Sequence, residues 1–127
     1  MSGSKKESLG SNLAAEQGDA VAQYNLGVKY YNGQGVTKDD TQAVFWYRKA
    51  AEKGYKDAQS LLGFMYRTGQ GVPKDDVQAV FWYRKAAEQG YKLAQFNLGL
   101  MYETGQGIAK DETHAMYWYA KAAEQGD

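Results

Sequence analysis

The residues that invite a chemical reading recur at fixed places in this 127-residue chain. Gly33-Gln34-Gly35 has the form of a phosphate cradle, and the same G-x-G returns at Gly69/Gly71 and Gly105/Gly107. Adjacent acids stand at Asp39/Asp40, Asp75/Asp76 and Asp111/Glu112, residue types that serve acid–base catalysis or Ca²⁺ binding. His114 is the single histidine. Trp46, Trp82 and Trp118, each followed by a tyrosine, make aromatic stripes of the kind that stack on a sugar or cofactor. Lys49, Lys85 and Lys121 form a basic row, and Ser2-Gly3-Ser4-Lys5 satisfies the S-x-x-K pattern.

Each of these has a plainer reading. Glycines repeated at helix ends supply left-handed turns. Acids repeated at helix starts are capping groups, and no EF-hand spacing accompanies them. A lone histidine makes neither a metal site nor a catalytic pair. The S-x-x-K match lacks any following S-D-N or K-T-G element, and it falls in a polar, tag-like stretch from Met1 to Ser11. The tryptophans keep helical spacing and are expected in the core, with the lysines on a solvated face. No nucleophile–base pair and no ligand cluster emerges, so the expectation is a protein that is not an enzyme and needs no cofactor.

The elements that position these residues follow from a repeat. Ala22, Ala58 and Ala94 are spaced 58−22 = 36 and 94−58 = 36. Leu26/Leu62/Leu98, Gly27/Gly63/Gly99, Tyr30/Tyr66/Tyr102 and Trp46/Trp82/Trp118 keep the same step. Gln42 to Glu52 and Gln78 to Glu88 are identical, as recent duplication or deliberate idealisation produces. Ala14-Ala15-Glu16-Gln17-Gly18 matches Ala50-Ala51-Glu52-Lys53-Gly54, so the array opens on a half repeat at 12–18, followed by repeats 19–54, 55–90 and 91–127, with 1–11 outside the array.

Each repeat reads as two helices. Ala22, Leu26, Gly27 and Tyr30 share one face of a first helix, ended by Gly33. Asp39 caps a second helix, with Gln42 placed to complete a capping box, as do Asp75 with Gln78 and, more weakly, Asp111 with His114. Asp40, Asp76 and Glu112 suit the positive end of the helix dipole. The second helix turns Ala43, Trp46, Tyr47 and Ala50 inward and stops at Gly54. A lone hairpin cannot cover those rings, so hairpins must stack. The fold expected is all-α: a right-handed superhelical solenoid of antiparallel hairpins, first helix inside and second outside.

Composition narrows the function classes. Fifteen Lys and Arg balance fifteen Asp and Glu, which argues against a nucleic-acid binder and a polybasic membrane patch. No run of about eighteen apolar residues exists, so nothing inserts across a bilayer. Zero cysteines exclude a disulfide framework. That fits a reducing cytoplasm and equally an exported protein whose leader has been cut away, so the compartment stays open.

The combined pattern A-x3-LG-x2-Y-x2-G-x-GV-x-KD, then A-x2-WY-x-KAA-x2-G, resembles the Sel1-like repeat family, related to tetratricopeptide repeats. It covers residues 22–54, 58–90 and 94–126, with Ile108 in place of Val and Ala120 in place of the Arg at 48 and 84. The resemblance implies an adaptor that assembles complexes, acts at host surfaces or signals at membranes. Some Sel1-like proteins are associated with β-lactam binding or hydrolysis, which makes a cell-wall ligand a lesser alternative.

In such an array, positions that differ between repeats are free to recognise something. On the first helix these are Val21, Tyr24, Val28 and Tyr31, then Asp57, Ser60, Phe64 and Arg67, then Leu93, Phe96, Leu100 and Glu103. They oppose the Ala22/Leu26/Tyr30 stripe and are expected to stay clear of their own hairpins, lining a concave groove for a peptide or partner helix. Many tetratricopeptide domains hold a C-terminal carboxylate with Lys and Asn on this face. Tyr24/Ser60/Phe96 and Val28/Phe64/Leu100 do not supply that chemistry. The competing expectation is a self-assembling structural array, or a fragment of a longer one, associating through uncapped ends.

Overall fold

The structure is a computed structural model and describes residues 12–126; the tag-like residues 1–11, with the S-x-x-K match, lie outside that span. The described residues form helices joined by turns and short irregular loops, with no strand among them. The chain runs α1 (residues 12–16), α2 (Ala20–Asn32), α3 (Asp40–Glu52), α4 (Lys56–Thr68), α5 (Asp76–Glu88), α6 (Lys92–Thr104) and α7 (Glu112–Glu124). Pairs α2/α3, α4/α5 and α6/α7 form hairpins, and each helix packs on the next in chain order, giving the expected solenoid.

Local chemistry sets the helix limits. Gly33, Gly69 and Gly105 are left-handed, with φ 69°, 72° and 72°, and each backbone N–H donates to a carbonyl four residues back. Asp39, Asp75 and Asp111 accept from the backbone N–H three residues on, each at 3.1 Å. The capping box is not completed. The amides of Asp39, Asp75 and Asp111 already donate to Tyr30 O, Tyr66 O and Tyr102 O, which leaves no N–H for Gln42, Gln78 or His114 to receive. Asp40 and Asp76 pair instead with Lys38 and Lys74.

The two helices of each hairpin meet where a glycine of the first faces a tyrosine of the second. A Cβ at Gly27 would stand 2.7 Å from the Tyr47 ring, and Gly63 and Gly99 face Tyr83 and Tyr119 at 2.8 Å. The absent side chain therefore lets a buried ring lie against the backbone of the first helix, which offsets the weak helix propensity of glycine. Of the three tryptophans only Trp82 is buried; Trp46 and Trp118 are half-buried, so the core expectation holds fully for one.

Three further contacts join successive hairpins. Arg48 donates to Tyr66 Oη at 2.7 Å and Arg84 to Tyr102 Oη at 2.9 Å. A Cβ at Gly71 would be 2.3 Å from Asp40 O, and one at Gly107 2.2 Å from Asp76 O. The second glycine of those loops is thus a point of close approach between repeats as well as a turn. The third contact is a ladder of glutamines: Gln59 Nε2 donates to Ala51 O, and Gln89 Nε2 donates to Gln59 Oε1 and Gly54 O. Gln95 and Gln125 repeat the arrangement on Ala87 O and Gly90 O.

Candidate functional site

The residues singled out from the sequence fall into three groups. Val21, Leu93, Phe96 and Glu103 are exposed. Tyr24, Val28, Tyr31, Phe64, Arg67 and Leu100 are half-buried, and of these Tyr24, Val28, Tyr31 and Phe64 pack on the core built from Ala43, Tyr47, Leu62 and their neighbours. Ser60, at 3% exposure, presents almost no surface.

The expectation that this face avoids its own hairpin is corrected by the rings. Tyr24 lies 5.9 Å from Tyr47 and Phe96 lies 5.4 Å from Tyr119, centroid to centroid. Tyr24, Gly27 and Tyr31 stand at offsets 0, 3 and 7, one face of a helix. The Tyr47 ring seated on Gly27 therefore meets the side chains that flank the glycine. Tyr24 also packs at a tilt against Tyr55 of the next repeat, 5.2 Å between centroids. Burial, with Asp57 adding a like-signed push, raises the Tyr24 phenol above its ordinary range.

Charge varies along the row while shape persists. Position 31 is Tyr, position 67 is Arg and position 103 is Glu. Arg67 lies 5.7 Å over the Phe64 ring and 6.0 Å over Tyr83. Glu103 accepts from Tyr119 Oη at 2.6 Å. Burial and that carboxylate push the Tyr119 phenol up to about 12.

Leu93, Phe96 and Glu103 come together with Tyr91, Tyr119 and Ala122 around an open, mostly apolar cavity of about 760 Å³. The sequence reading missed Tyr91, Tyr119 and Ala122 as lining residues. The recurrence of Tyr55 and Tyr91 one period apart, just before a first helix, was the available signal.

The other chemical candidates are accounted for by contacts. His114 Nδ1 lies 2.7 Å from Asp111 Oδ2, and its ring stacks 4.9 Å from Tyr102. Lys49, Lys85 and Lys121 each sit over an exposed ring, Phe45, Phe81 and Tyr117, at 5.0, 5.4 and 5.6 Å. Among the described residues no group of three His, Cys, Asp or Glu is placed to hold a metal ion. None of the described helices is long and apolar enough to cross a membrane.

The Sel1 repeat model matches residues 20–55, 56–91 and 92–127. The solved structure of a protective antigen of uropathogenic Escherichia coli, with an SLR fold, is 49% identical with a TM-score of 0.88, covering 92% of this chain and 25% of the antigen. A Sel1 repeat protein of Oxalobacter formigenes is 43% identical with a TM-score of 0.88, over 96% of this chain and 92% of that one. The cysteine rich protein B of Helicobacter pylori, 24% identical over 97% of this chain and 88% of that one with a TM-score of 0.73, shares the fold. One 36-residue stretch is 53% identical to the secretory immunoglobulin A-binding protein EsiB of Escherichia coli O6:H1, covering 28% of this chain and 7% of that protein. The chain thus spans about a quarter of the length of the antigen, and the matched stretch a far smaller share of EsiB. Three consecutive matches that tile α2 to α7, on hairpins whose glycine–tyrosine contacts recur at the same step, mean that the chain belongs to the Sel1 repeat family.

Proposed function

We propose that the protein is a non-catalytic interaction scaffold that holds a peptide or partner helix along the row Tyr24, Val28, Phe64 and Leu100. The observation that carries this reading is the contrast along that row. Val28, Phe64 and Leu100 keep half-exposed apolar surface at a 36-residue step, while the neighbouring position changes from Tyr31 to Arg67 to Glu103. A constant apolar track with variable polar neighbours gives anchoring and discrimination together. Leu93 and Phe96, 56% and 50% exposed, extend the apolar surface towards the end of the array.

The test pairs the wild type with a Phe64→Gln/Leu100→Gln double variant. Both are presented to cell lysate and, because one repeat is similar to an immunoglobulin A-binding protein, to purified secretory immunoglobulin A. The scaffold reading expects a partner retained by the wild type and lost, at least tenfold weaker (about 1.4 kcal/mol), by a variant of unchanged helicity. Equal retention by both proteins sinks the row as the binding surface.

A further inference from the structure

The junctions between repeats share one polar seat. At the second junction the Gln89 side-chain amide donates to Gln59 Oε1 at 2.8 Å and to the Gly54 carbonyl at 3.0 Å, which uses both of its N–H groups. At the third, Gln125 does the same with Gln95 Oε1 and the Gly90 carbonyl, both at 2.7 Å. At the first junction Gln23 and Gly18 hold the corresponding places, and Gln23 Nε2 donates to Ala15 O as Gln59 does to Ala51 O. The residue in register with Gln89 is Lys53. Gln23 is 3% exposed, and its Oε1 has no hydrogen-bond partner among the described residues. A buried acceptor of that kind is normally paired.

Lys53 does not do the work of a glutamine there. It is exposed, with Nζ 3.4 Å from the point where a Cβ on Gly18 would stand, and it makes no hydrogen bond to Gln23 Oε1. A lysine ammonium is strongly hydrated and keeps its head in water. Gln23, Gly18, Trp46 and Lys53 line an open cleft of about 590 Å³. The same cleft recurs inside the array at about 290 Å³, where Gln59, Gly54 and Trp82 stand in the places of Gln23, Gly18 and Trp46. It is therefore a feature of the repeat, and what distinguishes the first copy is the residue at position 53. Glu16 and Glu52 stand with Lys49 and Lys53 around it, so no net charge draws an ion into it.

We propose that the first junction binds a ligand's primary carboxamide, the group a glutamine side chain carries, in the cleft beside Trp46. Its two N–H groups donate to Gln23 Oε1 and the Gly18 carbonyl, as those of Gln89 donate to Gln59 Oε1 and the Gly54 carbonyl. Its own carbonyl accepts from the Lys53 ammonium, a donor that stands at neither of the other junctions. The ligand thus completes from outside a contact that the other junctions complete from within. The site is separate from the partner-binding row and does not rest on it.

Two-dimensional amide NMR of the full chain tests it, with the peptide N-acetyl-Ala-Gln-Ala methylamide, its Glu and Arg counterparts, and acetamide as probes. The glutamine peptide is expected to shift the Gln23 side-chain amide and the Asp19 backbone amide saturably. The glutamate peptide, whose side chain has no N–H to give, should leave both in place, and the arginine peptide, a cation beside Lys49 and Lys53, should bind more weakly. Acetamide acting on the same two resonances as tightly as the glutamine peptide supports a seat for small amides, and a tighter peptide supports one for glutaminyl chains. Lys53→Gln, at an exposed position, puts an internal amide in the seat and should weaken binding at least about tenfold with helicity unchanged. Lys53→Ala leaves both acceptors open and should weaken it less. A wild type without saturable shifts at Gln23, equal binding of the glutamate or arginine peptide, or a Lys53→Gln variant that binds like the wild type would each overturn the proposal.

Discussion

The side-chain amide of Gln89 donates to Gln59 Oε1 at 2.8 Å, joining two residues thirty positions apart that sit at the same place in successive junctions as Gln125 and Gln95. Gln59 passes the contact on through its Nε2 to the Ala51 carbonyl, so a buried glutamine and an exposed one stitch three segments together. In the first junction the position of Gln89 is held by Lys53, and the buried Gln23 Oε1 has no hydrogen-bond partner. Lys53→Gln is therefore expected to stabilise the chain by about 0.5–1.5 kcal/mol, by satisfying that oxygen. Gln59→Ala is expected to cost about 1–3 kcal/mol, since two hydrogen bonds across the junction are lost, leaving Gln89 only its bond to the Gly54 carbonyl. Urea unfolding of both variants measures the two effects. A destabilised Lys53→Gln would mean that the ladder does not extend into the first junction.

The two glycines Gly35 and Gly71 separate turn geometry from close approach. Both are left-handed, with φ 75° and 73°, so alanine at either is strained by about 1–2 kcal/mol. A Cβ at Gly35 meets nothing within 4 Å, whereas one at Gly71 would stand 2.3 Å from Asp40 O. Gly71→Ala should therefore cost at least about 2 kcal/mol more than Gly35→Ala, because the backbone of the preceding hairpin must also move. Equal thermal shifts for the two variants would remove the close-approach role.

Alkaline pH should act through the buried tyrosines. Burial chiefly, and Asp76 further, raise the Tyr83 phenol from 10.0 to about 12, with Arg67 opposing. The raised value means the folded state favours the neutral phenol. Its stability contribution is intact below pH 10 and is lost as pH climbs through about 12. Tyr83 Oη is also buried without a hydrogen-bond partner. Tyr83→Phe should be neutral to about 1 kcal/mol more stable at pH 7, and should shift alkaline unfolding upward. A spectrophotometric titration with parallel circular dichroism checks both, and an unchanged alkaline midpoint would assign that transition to other tyrosines.

Much of this fold was legible because its determinants are local or periodic. Gly33, Asp39 and the Ala22/Leu26/Tyr30 stripe act within one helix or its ends, and each is found in its expected place. The glycine at position 27 was read as a site of helix approach, and its partner proves to be the Tyr47 ring. What escaped the sequence depends on partners outside the residue's own helix, from eight to thirty positions away. Gln23, Gln59 and Gln95 belong to a residue type usually found at the surface, yet all three are buried. Only their recurrence beside Ala22, Ala58 and Ala94 could have flagged them. The same holds for the candidate site. Helix periodicity placed Tyr24 and Phe96 together on one face, but the reach of Tyr47 and Tyr119 across that face follows from hairpin geometry.

The glutamine ladder and the Arg48–Tyr66 and Arg84–Tyr102 contacts join adjacent hairpins, and among the described residues no hydrogen bond spans two junctions. Pulled from its two ends, such a chain carries tension through its junctions in series. Rupture of one junction leaves the next intact, so extension should proceed in steps, each freeing one 36-residue repeat and roughly 120 Å of contour. Under load the protein would yield as a chain of separate links, with its weakest junction setting the force at which lengthening begins.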